Sequence, residues 1–65
     1  METVRFYGNY QLLHNTSLDE NHNKYYVTDG TNKSHWLYTE DKYDLIDLSD
    51  YDFEEKCIEL IQNNK

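Results

Sequence analysis

The stretch TEDKYDLIDLSDYDFEE, residues 39–55, carries as much net charge as the whole chain and leads into its clearest helix. Eight of the sixteen residues from Glu40 to Glu55 are carboxylates and Lys42 is the only base, so their net charge is −7. The formal charge of the 65-residue chain is also −7. The carboxylates are Glu40, Asp41, Asp44, Asp47, Asp50, Asp52, Glu54 and Glu55. Charge and fold therefore have to be interpreted together here.

From Asp50 onward the sequence predicts an amphipathic helix of about 13 residues, ending near Gln62. Ser49 or Asp50 can cap its N-terminus, and the carboxylates of its first turns complement the positive end of the helix dipole. On a helical wheel the apolar face is formed by Phe53, Cys57, Leu60 and Ile61. This face is the natural contact with the rest of the core.

The opposite face of this helix is acidic. Asp52, Glu55 and Glu59 lie together on it, and side chains at such spacings are about 5–6 Å apart at Cβ. Glu54 is an exception because it falls on the apolar side of the wheel. Its carboxylate either reaches past the edge of the core to water, or meets a cation of a partner.

Residues Tyr43–Leu48, which precede this helix, are ambiguous. As a helix capped by Thr39, the segment would place Glu40 and Asp41 in a first turn where carboxylates are favourable. As a strand, it would alternate its side chains between two faces. Because its apolar residues lack regular helical spacing, we predict an extended segment.

The N-terminal half favours β-structure. Val4–Tyr7 and Tyr10–Leu13 flank the pair Gly8-Asn9, which predicts a two-residue hairpin with a type II′ turn. In this register Tyr7 faces Tyr10, and Val4 and Phe6 share a face with Leu13. The alternative is one long strand, Thr3–His14, bulged at Gly8.

A polar loop and a second hairpin follow. Asn15–Asn23 is rich in turn-forming residues, and Leu18 is its only candidate anchor. Strands Tyr25–Thr28 and Ser34–Tyr38 are predicted to pair through the turn Asp29–Lys33.

These elements predict a single small acidic α+β domain over residues 1–65. We expect an antiparallel sheet of three to five strands, covered on one face by a single C-terminal helix. The other face would display aromatic side chains to solvent or to a partner. The chain is near the lower size limit for an unaided core, which self-association into a homodimer would offset.

Composition excludes several classes of protein. The single cysteine, Cys57, excludes an internal disulfide framework. No apolar run is long enough to span a membrane and no signal-peptide pattern is present, so we expect a soluble, cytoplasmic protein with no membrane contact.

No catalytic, cofactor or metal site is expected either. The histidines, with Cys57, lack compact zinc-ligand spacing, and the acidic stretch lacks the alternation and central glycine of a calcium-binding loop. A chain that can barely bury one core has little means of building a concave active site. We therefore expect no enzymatic activity and no cofactor.

Direct binding to nucleic acid is disfavoured by the sign of the charge, because the six basic residues are scattered. The same sign favours a basic, DNA-binding protein as the partner, since carboxylates on a helix face can imitate the spacing of phosphates. The alternative is that the charge only keeps a small protein soluble. The candidate partner-binding residues are Asp41, Asp44, Asp47, Asp50, Asp52, Glu54, Glu55, Glu59 and Trp36.

In size, charge and α+β character the chain is similar to small acidic phage proteins that act as DNA mimics or host-enzyme inhibitors. These include inhibitors of uracil-DNA glycosylase and anti-restriction and anti-CRISPR proteins. The resemblance implies a phage-type inhibitor acting in the cytoplasm of a host cell, and it transfers no individual residue. The alternative function is an assembly module that self-associates through a sheet face rich in Tyr and Trp.

Overall fold

The computed structural model describes residues 1–64, which form a three-stranded antiparallel sheet and two helices. The elements, in chain order, are β1 (Glu2–Tyr7), β2 (Tyr10–His14), β3 (Tyr25–Thr28), α1 (Thr39–Asp47) and α2 (Asp50–Gln62). The strand order is β1-β2-β3. The predicted α+β class is confirmed, but the prediction of a single helix is wrong because a second helix precedes α2.

The first hairpin forms as predicted. Tyr7 pairs with Tyr10, and Gly8 has a φ of +59°, the positive value that the first position of a type II′ turn requires. The alternative of one long strand is therefore excluded. The pairing shifts by one residue between Thr3 and Arg5, which places Arg5 opposite the fully buried Leu12.

This shift is a β-bulge at Val4, and it changes which side chains reach the core. Val4 packs against the buried cluster, whereas Phe6 is 72% exposed. The prediction that Val4 and Phe6 share one face with Leu13 is wrong, because a bulge interrupts the alternation of side chains along a strand.

The polar loop after β2 is anchored by an amide. Asn15 is 1% exposed, and its Nδ2 donates to Asp19 Oδ1 at 3.1 Å and to the Asn21 carbonyl at 3.0 Å. Its Oδ1 accepts from the Ser17 N–H at 3.0 Å. Leu18, the predicted anchor, is 93% exposed. A buried amide whose donors and acceptor are all satisfied holds this loop.

The predicted strand Ser34–Tyr38 is wrong, although the segment does run beside β3. It makes two isolated bridges, of Lys33 with Thr28 and of Leu37 with Tyr25. Five residues on this side face four on β3, so a regular ladder cannot continue between the bridges. Ser34 Oγ fills the gap by accepting from the Val27 N–H at 3.0 Å.

Residues 39–47 are helical, which corrects the prediction of an extended segment. Tyr38, not Thr39, is the N-cap residue, and Asp41 Oδ2 accepts from the Tyr38 N–H at 3.0 Å. Leu45 is the only buried side chain of α1. One buried residue leaves almost no periodic signal in the sequence, since a helix is normally recognised from a repeated apolar stripe.

α2 agrees with its prediction. It spans Asp50–Gln62, and Ser49 Oγ accepts from the Asp52 N–H at 3.2 Å, as an N-cap does. Leu60 is half-buried, while the other predicted apolar residues of α2 join the core. The core consists of Leu12, Tyr25, Val27, Leu45, Phe53, Cys57 and Ile61.

Candidate binding surface

Arg5 holds the junction between the two helices. Its guanidinium donates to the carbonyl oxygens of Leu45 at 2.5 Å and Ile46 at 3.0 Å, near the C-terminus of α1. It also donates to Asp50 Oδ1 at 3.3 Å, and its Cζ lies 4.4 Å from the centroid of the Phe53 ring. A cation at a helix C-terminus and a carboxylate at a helix N-terminus both complement the helix dipoles. Arg5 thereby connects β1, α1 and α2.

An apolar groove of about 440 Å³ lies between the two helices, and we call it the interhelical groove. Its apolar lining comes from α1, α2 and the segments next to α1. Asp41 and Asp44 of α1 and Lys56 of α2 also line it. The apolar lining residues are Leu37, Leu45, Leu48 and Leu60.

A second, shallower depression of about 430 Å³ runs along the outer side of α2. Asp52, Glu55 and Glu59 line it, and all three side chains are exposed. Leu48 and Lys56 line both this depression and the interhelical groove. The carboxylates of the two helices therefore belong to one continuous surface.

We call this the acidic helical surface and define it by five exposed carboxylates and one lysine. Among the described residues that line it, Lys56 is the only base. Lys56 Nζ lies 3.7 Å from Glu59 Oε1, and both side chains are well exposed. An exposed pair of this kind is weak and screened by salt, so it leaves the surface strongly negative. The carboxylates are Asp41, Asp44, Asp52, Glu55 and Glu59.

Lys42, the only base between Glu40 and Glu55, lines neither depression. Its Nζ lies 4.5 Å from the centroid of the Tyr43 ring and 5.1 Å from that of Tyr25. A hydrogen bond with the Tyr25 side chain raises the pKa of Lys42 above its ordinary value. Its charge is directed to aromatic rings and away from the acidic helical surface.

Four of the sequence-predicted site residues lie apart from this surface. Asp50 is paired with Arg5, while Asp47 is exposed on α1 but lines neither depression. Glu54 is half-buried beside the core, close enough to Cys57 to affect its titration. Those three remain on or between the helices, whereas the fourth, Trp36, does not.

Trp36 lies on the opposite side of the sheet. Its ring contacts Tyr26 edge-on, with the ring centroids 5.4 Å apart and an interplanar angle of 88°. Tyr26 alternates along β3 with the buried Tyr25 and Val27, so its side chain faces away from the helices. Trp36 therefore lies with Tyr26 and Phe6 on the sheet face that is turned away from the helices, and not on the acidic helical surface. We call this the uncovered sheet face.

The groups that could support other chemistry are dispersed or buried. Within residues 1–64, no three His, Cys, Asp or Glu side chains are grouped closely enough to hold a metal ion. Cys57 is fully buried, and desolvation raises the pKa of its thiol to about 12. The charge of Arg5 lowers this pKa by a smaller amount, and the charge of Glu54 raises it further. A thiol with such a pKa is protonated at neutral pH and is a poor nucleophile.

Sequence reasoning missed Arg5 and the interhelical groove. A lone arginine in the predicted strand Val4–Tyr7, whose other residues are uncharged, was a signal that could have been followed, because such a side chain needs acceptors. The groove had no comparable signal, since its leucines come from three separate parts of the chain.

Neither described helix has the length and hydropathy needed to cross a membrane. The chain matches no protein-family model, no curated protein and no solved structure.

Proposed function

We propose that this protein is a non-enzymatic, phage-type inhibitor that mimics DNA and occupies the DNA-binding surface of a basic host protein. The observation that carries the proposal is the continuity of the acidic helical surface. Five exposed carboxylates from two helices meet there, with Lys56 as the single base among the described residues lining it.

The spacing of the carboxylates on α2 supports mimicry. Successive members of the row Asp52, Glu55 and Glu59 are about 4.5 to 6 Å apart along the helix axis, at a rise of about 1.5 Å per residue. Phosphates of one DNA strand recur about every 3.4 Å along the duplex axis. The two charge densities are of the same order, and Asp41 and Asp44 on α1 add a second, neighbouring row.

The net charge of −7 supports a cationic partner. Charge complementarity steers association and can raise on-rates by about 10 to 1,000-fold, an effect that falls steeply with ionic strength. A protein of this sign is repelled by nucleic acid itself, so it would compete with DNA for a shared partner and not bind the DNA.

The test is affinity capture from a bacterial lysate at low salt, followed by competition with duplex DNA. We expect a stoichiometric complex with a DNA-binding protein that duplex DNA displaces and that salt weakens. If no nucleic-acid-binding protein is captured at low salt, the proposal fails.

A matched pair of variants separates local from general charge effects. The triple variant Asp52→Asn, Glu55→Gln, Glu59→Gln should weaken capture strongly while leaving the circular dichroism spectrum unchanged. The control neutralises three exposed carboxylates elsewhere and changes the net charge equally. Its substitutions are Glu2→Gln, Glu20→Gln and Glu40→Gln. Equal loss of binding in both variants would count against a defined surface.

The uncovered sheet face supports a second candidate, an assembly module that self-associates. Phe6 on this face is 72% exposed, and Trp36 and Tyr26 lie on the same face near its opposite edge, at β3. This function predicts a tight oligomer in light scattering that Trp36→Ala disrupts and charge neutralisation does not. A monomer at all concentrations would exclude it.

A further inference from the structure

We infer that the interhelical groove binds a basic amphipathic helix of the partner protein, whose apolar side chains enter the groove while its cations pair with the carboxylates beside it. This inference rests on the proposed function and adds how the partner is recognised. Two observations support this inference. The groove is large enough to take apolar side chains, and carboxylates of α1 lie at its edge.

The interior of the groove is suited to apolar side chains. Leu45, at its base, is 2% exposed, while Leu37, Leu48 and Leu60 are only half-buried. The volume of about 440 Å³ lies within the range of about 300–1,000 Å³ typical of sites that enclose a ligand. Apolar side chains entering this space would remove the exposed parts of the leucines from water, which is favourable in proportion to area.

The charges at the edges specify a cationic occupant. Asp41 and Asp44 are three residues apart on α1, so they lie on the same side of the helix about 5–6 Å apart at Cβ. Asp41 already accepts from the Tyr38 N–H, but a carboxylate has further lone pairs for a partner's cation. On the α2 side, Lys56 is drawn toward Glu59, and the carboxylates of α2 lie beyond it. An acidic occupant would meet like charge along α1.

The length of α1 limits the size of the occupant. A helix of nine residues is about 13.5 Å long, or about two and a half turns. A helix lying in the groove can therefore place apolar side chains at positions i, i+3 or i+4, and i+7, the usual pattern of helix-in-groove recognition. Lys and Arg at the intervening positions would pair with Asp41 and Asp44 on α1, and long side chains on the other flank would extend past Lys56 toward the carboxylates of α2.

Binding of such a helix would have two contributions, ion pairing and apolar burial, which respond differently to salt. Pairing of the carboxylates with cations is screened as salt rises, because the Debye length falls from about 30 Å at 0.01 M to about 3 Å at 1 M. Burial of apolar side chains is not screened, and sulfate strengthens it. A groove-bound helix should therefore retain part of its affinity in sodium sulfate, whereas a purely electrostatic complex should lose it.

The experiment compares three synthetic peptides of equal length and charge. The first carries Leu at i, i+3, i+4 and i+7 of a Lys-rich helix, the second has the same composition in scrambled order, and the third has Gln in place of each Leu. We expect the first to bind at least about tenfold more tightly, since one buried apolar side chain contributes that much. Methyl NMR should show saturable shifts at Leu37, Leu45, Leu48 and Leu60.

A matched pair of substitutions on α1 tests the edge charge. Asp44→Asn should weaken the first peptide by up to about fivefold, the upper range for an exposed ion pair. Asp47→Asn makes the same chemical change on the same helix but outside the groove, and should have a smaller effect.

Each alternative outcome overturns the inference in a recognisable way. If all three peptides bind equally and the groove methyls do not shift, the acidic helical surface acts alone; the groove inference fails and the proposed function stands. If no peptide binds at low salt and lysate capture also fails, both fail. If the groove methyls shift with protein concentration in the absence of peptide, the occupant is a second copy of this chain.

Discussion

Replacing Arg5 with alanine should remove a large part of the stability of this domain. The side chain is 17% exposed and makes hydrogen bonds to two helix carbonyls, an ion pair with Asp50 and a contact with the Phe53 ring. Hydrogen bonds to charged groups contribute about 1.5–3 kcal/mol each, a cation–π contact about 0.5–2, and an exposed ion pair about 0.2–1.

These contributions share one side chain and are not additive, so we expect a loss of about 2–4 kcal/mol for Arg5→Ala. A core of this size supports only about 3–5 kcal/mol of stability. At about 4–8 °C per kcal/mol, the Tm should fall by at least about 8 °C. Arg5→Lys should recover only part of the loss, because an ammonium cannot bridge two carbonyls and a carboxylate as a guanidinium fork does.

The assay is urea and thermal unfolding followed by circular dichroism, with Lys56→Ala as the control. Lys56 also forms an ion pair, but both partners are well exposed, so its removal should cost less than about 0.5 kcal/mol. If Arg5→Ala and Lys56→Ala unfold at the same urea concentration, the idea that Arg5 holds the helix junction is refuted.

Three further predictions concern single residues in other parts of the fold. Asn15→Ala should lower the free energy of unfolding by about 1–3 kcal/mol, because it leaves buried hydrogen-bonding partners unpaired. Leu18→Ser, the control, should change it by less than about 0.5 kcal/mol, and equal urea midpoints for the two variants would contradict this prediction. Gly8→Ala should lower the free energy of unfolding by about 1–2 kcal/mol, because an alanine is strained at a φ of +59° even though the space around Gly8 is open. An unchanged Tm would exclude this backbone strain. The thiol of Cys57 should react with iodoacetamide much faster in urea than in native buffer. Folding raises the pKa of the Cys57 thiol from 9.0 to about 12, so the contribution of Cys57 to stability should decline as the pH rises from about 9 to about 12. The variant Cys57→Ala should lack this part of the decline.

Local patterns were sufficient for the first hairpin and for α2. Gly8 and Asn9 between strand-like runs predicted the first hairpin and the pairing of Tyr7 with Tyr10, but not the bulge at Val4. Only a few residues meet the backbone demands of a two-residue turn. The apolar stripe and the cap at Ser49 predicted α2 within its observed bounds. Both signals lie within about a dozen consecutive residues, so no long-range contact was needed to recognise them.

α1 and the strand predicted at Ser34–Tyr38 failed because their structure depends on distant partners. α1 buries only Leu45, and its C-terminal carbonyls are satisfied by Arg5, which is 40 residues from Leu45 in the chain. The segment beside β3 carries one residue too many for a ladder, and a serine hydroxyl completes the hydrogen bonding. Neither compensation can be read from the local pattern.

By itself the sequence determined the charge, the α+β class, the first hairpin, α2 and the acidic row along α2. Only the tertiary structure decided which carboxylates share a surface. It placed Asp41 and Asp44, which line the apolar groove, on one surface with that row. It also paired Asp50 with Arg5 and placed Trp36 on the far side of the sheet. The physical reason is that charge belongs to each residue alone, whereas a surface depends on contacts between residues far apart in the chain.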